Sequence, residues 1–189
     1  MPRSASWHTP LCSSPRALRP WLTERGSLTA RLIAHFPDFS VRVCVQTSSR
    51  AHADEQRPIA LARRTTRAEA REVLLLSGET PLVFAHSVLQ PAALRGGFRP
   101  IGRLGNASLG SFLFATPTIR RSPLAWRQID ARHPLWRKAA QHVADLPARL
   151  WARRSLFFAG HDRLLVTEVF LPPAFSAPAA PTARQYPDR

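Results

Sequence analysis

Apolar and polar positions divide the chain into short periodic stretches. Leu18, Trp21 and Leu22 stand at helical spacing and predict a first helix over 17–24. Pro20 falls in its opening turn, where a missing N–H costs nothing, and Gly26 follows its end. Ser27 is placed to cap a second helix, with Leu28, Leu32, Ile33 and Phe36 as one stripe and Pro37-Asp38 as its stop. From 39 to 46 the period changes to two, with Phe39, Val41, Val43 and Val45 on one face and Ser40, Arg42 and Cys44 on the other. Residues 47–57 are polar and read as a loop. Strands follow over 71–76 and 82–89, joined by a hairpin at Ser77-Gly78-Glu79-Thr80. The stretch 91–105 is irregular, and Ser108 is placed to cap a short helix ending at Phe114. A strand over 118–129 is interrupted near Pro123. Pro134 suits the first turn of a helix running to about Val143. Strands over 150–158 and 164–171 flank a turn at Gly160-His161-Asp162.

Helices come first and hairpin-linked strands afterwards. That order predicts an α+β fold, a single domain around a mainly antiparallel sheet, and not the βαβ alternation of a doubly wound fold. The domain is expected over 15–173. Residues 1–14 show no period and are expected to be loose. Residues 174–189 are Pro/Ala-rich and are expected to be a disordered tail.

Composition narrows the function classes. With 44% hydrophobic and 21% charged residues among 189, the chain has enough apolar material for one core. No run of about 18 apolar residues occurs, so no stable membrane insertion is expected. The first 14 residues lack the apolar centre of a secretory signal, which points to a cytoplasmic protein. Cys12 and Cys44 are the only cysteines and form no CxxC, so neither a disulfide framework nor a structural zinc site is expected. His8, His35, His52, His133, His142 and His161 are scattered and make no recognisable metal set. No metalloprotease, P-loop or Gly-rich dinucleotide motif is present. The net charge of +15 raises the question of nucleic acid. Lys138 is the sole lysine, however, and the arginines run from Arg3 to Arg189 without clustering. This reads as a compositional preference for arginine, and no nucleic-acid partner is expected. Small anions would still be drawn to such a surface.

Five positions carry candidate chemistry. Glu168 shares a strand face with Leu164, Val166 and Phe170, and the opposite face is apolar too. A carboxylate there needs either a structural ion pair or a pocket role. Arg71 shares a face with Val73 and Leu75, and its planar fork suits a carboxylate. Arg71 and Glu168 could pair with each other or face one ligand. Arg153 and Arg154 are adjacent in a strand, so one must face inward and needs an anion. His86 lies among Leu82, Phe84 and Val88, a setting more typical of a core histidine than of a catalyst.

Six segments in order resemble blocks of the chorismate lyase (chorismate pyruvate-lyase) family. They are WLTERGSLTARL (21–32), REVLLL (71–76), PLVFAHSVL (81–89), LGNASLGSFLF (104–114), WARRS (151–155) and LLVTEVFLP (164–172). The resemblance implies an antiparallel sheet of about six strands, with helices and flap loops over a buried ligand cavity. It implies a cofactor-independent, metal-free carbon–oxygen lyase that converts chorismate to 4-hydroxybenzoate and pyruvate at the start of ubiquinone biosynthesis; a monomer is expected. By the same resemblance the catalytic residues are Arg71 and Glu168. The first would grip the ring carboxylate and the second would meet the ring hydroxyl. Leu28 and Leu109 would be further binding contacts, Leu109 through its backbone. Two departures stand out: His86 replaces an expected arginine, and Trp126-Arg127-Gln128 replaces an expected acidic residue. A related ligand-binding domain without lyase activity occurs in bacterial transcription regulators behind a winged helix, and a free-standing, non-catalytic small-aromatic-acid binding module of the same fold is the alternative reading for this chain. The matched core begins near residue 15, so the winged-helix arrangement is not expected here.

Overall fold

Capping and turn chemistry place the first elements close to where the periodicity does. The computed structural model describes residues 7–62, 67–172 and 175. Helix α1 (Arg19–Leu22) has proline in its first turn. Helix α2 (Leu28–His35) is capped by the Ser27 hydroxyl, which accepts from the Ala30 N–H. Leu28 and Leu32 are buried, but Ile33 is 52% exposed, so the stripe is narrower than predicted.

The sheet then builds by hairpins. Its strands are β1 (Phe39–Arg50), β2 (Arg67–Ser77), β3 (Thr80–Leu89), β4 (Arg120–Arg121), β5 (Ala125–Asp130), β6 (Arg149–Ala159) and β7 (Asp162–Phe170). Helices α3 (Leu109–Ala115) and α4 (Pro134–Ala140) complete the fold. All pairings are antiparallel, in the order β1-β2-β3-β7-β6-β4, with β5 also on β6. The α+β architecture is as expected, with seven strands against the six predicted because the stretch before Pro123 pairs separately. Strand β1 also runs on to Arg50, into the segment read as loop.

A register shift in β1 repositions side chains. Val43 sits opposite Val73 but Val45 opposite Glu72, so Cys44 is an extra residue in the ladder. Beyond the bulge, Gln46 faces the same way as its partner Arg71, where strict alternation would have put it on the other side. Cys44 packs into the outer-face cluster.

Each face of the sheet has its own cover. On one, α1, α2 and Phe175 pack on Val73, Leu75, Ala85 and Phe170, while α3 and the irregular turns pack on Leu89, Phe157 and Leu164. On the other, α4 and Trp7 pack on Leu74, Phe84, Ala152 and Val169, and the loop after β1 packs Ile59 on Val88 and Leu165. Trp7 corrects the expectation for the N-terminus. It is 4% exposed and donates its indole N–H to Asp54 at 2.8 Å, and Thr9 donates its backbone N–H to Trp126 O at 3.0 Å. Trp7 and Ser14 thus anchor this segment, while His8, Pro10, Cys12 and Ser13 between them stay exposed. Residues 1–6 lie outside the described residues, as does the tail expected over 174–189 apart from the buried Phe175.

The outer face also holds a buried charged cluster. His86, 2% exposed, lies between Glu72 (Nδ1 to Oε1, 3.2 Å) and Glu55 (Nε2 to Oε1, 3.1 Å). Its ring stacks on His52, which contacts Glu55 at 3.0 Å, and Lys138 pairs with Glu72. His52, Glu55 and His86 therefore come together, contrary to the reading of scattered histidines. The 51–62 loop folds back over β3, which no local pattern announces. The cluster balances as ion pairs, two carboxylates against Lys138 and a charged His86. Burial alone would lower the imidazole's pKa, but Glu55 and Glu72 outweigh it and raise it to about 9.

That shift fixes the sign of a pH effect. His86 binds its proton more tightly folded than unfolded, so its contribution is complete below about pH 6.5 and is lost as pH rises through about 9. The melting temperature is expected to fall across that window, by stability on the order of a few kcal/mol. Arginine at this position keeps the charge but does not titrate there. Melts of His86→Arg at pH 6.5, 8 and 9.5 should show the fall flattened; equal slopes in both proteins would remove His86 as its source.

Candidate active site

Helices α2 and α3 close over the sheet and roof a cavity between them and its inner face. Each begins with a serine cap, Ser27 to Ala30 N–H and Ser108 to Ser111 N–H, both at 3.2 Å. Leu28 and Leu109 are the first residues inside those caps and both line the cavity. Backbone N–H groups of a first helical turn have no partner within the helix. The two helices touch at Gly110, where a Cβ would lie 2.7 Å from Thr29 Oγ1, so glycine permits the closure.

Arg71 lines one side of the cavity and is 3% exposed. It donates from Nη1 to Gln46 Oε1 at 2.9 Å, and from Nη2 to Gly105 O at 2.8 Å and Ala107 O at 3.3 Å. Gly105 takes φ 51°, a left-handed turn that suits glycine and presents its carbonyl to the guanidinium. All of these partners are neutral, and burial pushes the guanidinium's pKa down. An uncompensated buried cation in an apolar cavity is a receptor for an anion.

Glu168 also lines the cavity. Its Oε2 accepts from Arg153 Nε at 2.6 Å, and its other oxygen takes no hydrogen bond from the described residues. Arg153 is fully buried and is fixed in turn by Trp21 O (2.7 Å) and Glu24 O (2.9 Å). The inward arginine of the Arg153–Arg154 pair thus has its anion. Arg154 points to the other face, over the Trp7 ring at 4.2 Å and 3.3 Å from Asp54. Arg71 and Glu168 do not pair; they face one cavity from separate walls.

One lining residue escaped the sequence reading. Arg121 donates from Nε to Ser155 Oγ at 2.8 Å and from Nη1 to the carbonyls of Arg25 (2.9 Å) and Gly26 (3.2 Å). Its guanidinium lies 5.3 Å from the Phe114 ring centre and 5.4 Å from that of Phe157. The signal was present: Arg120-Arg121 is a tandem pair like Arg153-Arg154, so one of the two had to face inward. The departures fall elsewhere. Ala85 and Ser87 line the cavity, so His86 between them points away. Trp126 donates its indole N–H to Leu22 O at 2.8 Å and packs against α1.

The comparisons agree with this architecture. The chorismate lyase family model matches residues 1–179. A relative from Nitrosomonas europaea named "Probable chorismate pyruvate-lyase" is 47% identical over 167 residues, 88% of this chain and 93% of that protein. Relatives with the same name from Thiobacillus denitrificans (46%; 88% of each chain) and Aromatoleum aromaticum (43%; 94% and 97%) are similar over comparable lengths. Among solved structures, the PhnF C-terminal domain aligns with TM-score 0.54 at 14% identity, over 70% of this chain and 82% of that one. A GntR-family transcriptional regulator from Bacillus cereus aligns at 0.51 and 12% identity, over 76% and 98%. These two show a shared fold. Identity over nearly the whole length, with Arg71 and Glu168 facing one cavity, makes this chain a member of the chorismate lyase family.

Proposed function

We propose that the protein cleaves chorismate to 4-hydroxybenzoate and pyruvate in the cytoplasm, supplying the ring precursor of ubiquinone. The observation that carries this reading is the cavity itself: a largely apolar space with an uncompensated guanidinium on one wall and a carboxylate with a free oxygen on another. A ring acid with a hydroxyl opposite its carboxylate would offer one group to each of them. Arg71 receives the ring carboxylate through its charge and the N–H groups that Gln46, Gly105 and Ala107 leave free, joined by backbone N–H groups at Leu28 and Leu109. Glu168 accepts the ring hydroxyl's hydrogen bond on its free oxygen.

The reaction balances without a redox partner. The C4–H bond breaks and its electron pair closes the third ring double bond. The C3–O bond breaks, and the enolpyruvyl fragment takes the proton at its methylene carbon and leaves as pyruvate. Aromaticity supplies most of the driving force. What remains for the protein is to hold the reactive conformer in a dry site and to stabilise charge on the departing oxygen. In this reading Glu168 orients the substrate, and the proton passes within the substrate. Closure by α2 and α3 makes product release a candidate slow step.

The test is direct. Purified protein mixed with chorismate, with no added metal, should form 4-hydroxybenzoate and pyruvate in equal amounts. Tight 4-hydroxybenzoate binding without turnover would instead identify a binding module on the same fold.

A further inference from the structure

The cavity's charges do not balance with one carboxylate bound. Of the ionisable groups at the cavity, Glu168 and Arg153 cancel as an ion pair. Arg71 and Arg121 remain, and no carboxylate of the described residues lies within 4.0 Å of either. The hydrogen bonds that each donates go to neutral oxygens, and Arg71 Nε and Arg121 Nη2 have no acceptor among the described residues. A buried and a half-buried guanidinium at one cavity, neither paired with a carboxylate, call for a dianion.

Arg121 stands at a particular place. It lines the inner cavity beside Ser155, Phe157 and Glu168, and it also lines an outer groove formed with Thr23, Arg25, Ser122, Pro123 and Trp126. It is thus part of the wall between the cavity and the surface, against Phe114 of α3 and bonded to the turn that precedes α2. Burial lowers its pKa, and the nearby Glu168 charge partly offsets this.

We propose that Arg121 is the receptor for the second carboxylate of the substrate, the one on the enolpyruvyl group that departs. This rests on the chorismate reading above. With Arg71 on the ring carboxylate and Arg121 on the side-chain carboxylate, the substrate is held at both ends and the C3–O bond lies between them. The Arg121 guanidinium and the Ser155 hydroxyl bonded to it are then the donors nearest the departing enolate oxygen. The product 4-hydroxybenzoate has no second carboxylate and leaves Arg121 empty. Arg121 therefore separates substrate from product, a selectivity Arg71 cannot supply because it meets the group they share.

The experiment compares the two ligands. In Arg121→Gln, the KM or dissociation constant for chorismate should rise at least about thirtyfold, while 4-hydroxybenzoate affinity stays within about threefold of the parent. Arg121→Lys should recover much of the chorismate affinity, since it restores charge without the fork. Retained 4-hydroxybenzoate binding shows that the variant is folded. If Arg121→Gln does not fold, the ratio of the two affinities in Arg121→Met, which keeps the length and removes the charge, decides. Equal losses for both ligands, or no loss for chorismate, would overturn the proposal. Absence of turnover by the parent protein would defeat the lyase reading alone, because the affinity ratio is still measured by binding.

Discussion

Arg71→Ala is expected to lower kcat/KM for chorismate by about two to three orders of magnitude, with most of the change in KM. Arg71 meets a carboxylate that substrate and product share, so its contribution is uniform binding. The affinity for 4-hydroxybenzoate should therefore fall by a similar factor. Truncating one partner of a buried, hydrogen-bonded charge pair costs about 2–5 kcal/mol, roughly a 30- to 4,000-fold loss. Arg71→Lys should recover little, because an ammonium cannot satisfy Gln46 and the Gly105 and Ala107 carbonyls and still keep a donor for the carboxylate. Steady-state kinetics and product titration on a variant with an unchanged melting temperature would check this. A folded Arg71→Ala protein within tenfold of the parent would move the carboxylate grip elsewhere.

Glu168 should separate orientation from proton transfer. Glu168→Ala is expected to reduce kcat at least about a hundredfold. It should also lower the melting temperature, because it strands the fully buried Arg153 without its anion, a loss of about 3–5 kcal/mol where nothing rearranges. Glu168→Gln keeps an oxygen that can accept the ring hydroxyl, and it cannot take a proton. If Glu168 orients, kcat of the glutamine variant stays within about tenfold of the parent. If it is as slow as the alanine variant while binding 4-hydroxybenzoate normally, Glu168 itself carries the proton. The two variants share the loss of charge beside Arg153, so the difference between them isolates the acceptor oxygen.

These two residues were legible early because each breaks a strict local pattern. A strand alternates faces, so an ionised group in line with Leu164, Val166 and Phe170, or with Val73 and Leu75, announces a partner or a ligand without any knowledge of the fold. The same logic required an inward arginine at 153–154, and the structure supplies its anion. It applied equally to Arg120-Arg121. That pair was passed over because Pro123 obscured a strand only two residues long.

Local chemistry determined the elements themselves: serine caps before α2 and α3, the hairpin between β2 and β3, the turn before β7, and the order that gives an antiparallel α+β sheet. These depend on neighbours within a few positions, and periodicity records them. Which carboxylate answers which arginine was decided only by tertiary structure. Glu168 chose Arg153 over Arg71 because β6 and β7 set residues 153 and 168 directly opposite each other, whereas Arg71 lies on β2, separated from β7 by β3. The bulge at Cys44 turned Gln46 toward Arg71, and a one-residue change of register leaves no mark in an alternating pattern. The polar 51–62 loop buried Glu55 against His86 by crossing a sheet face far along the chain. Pairings of this kind depend on strand order and distant packing, so they exist only once the chain has folded.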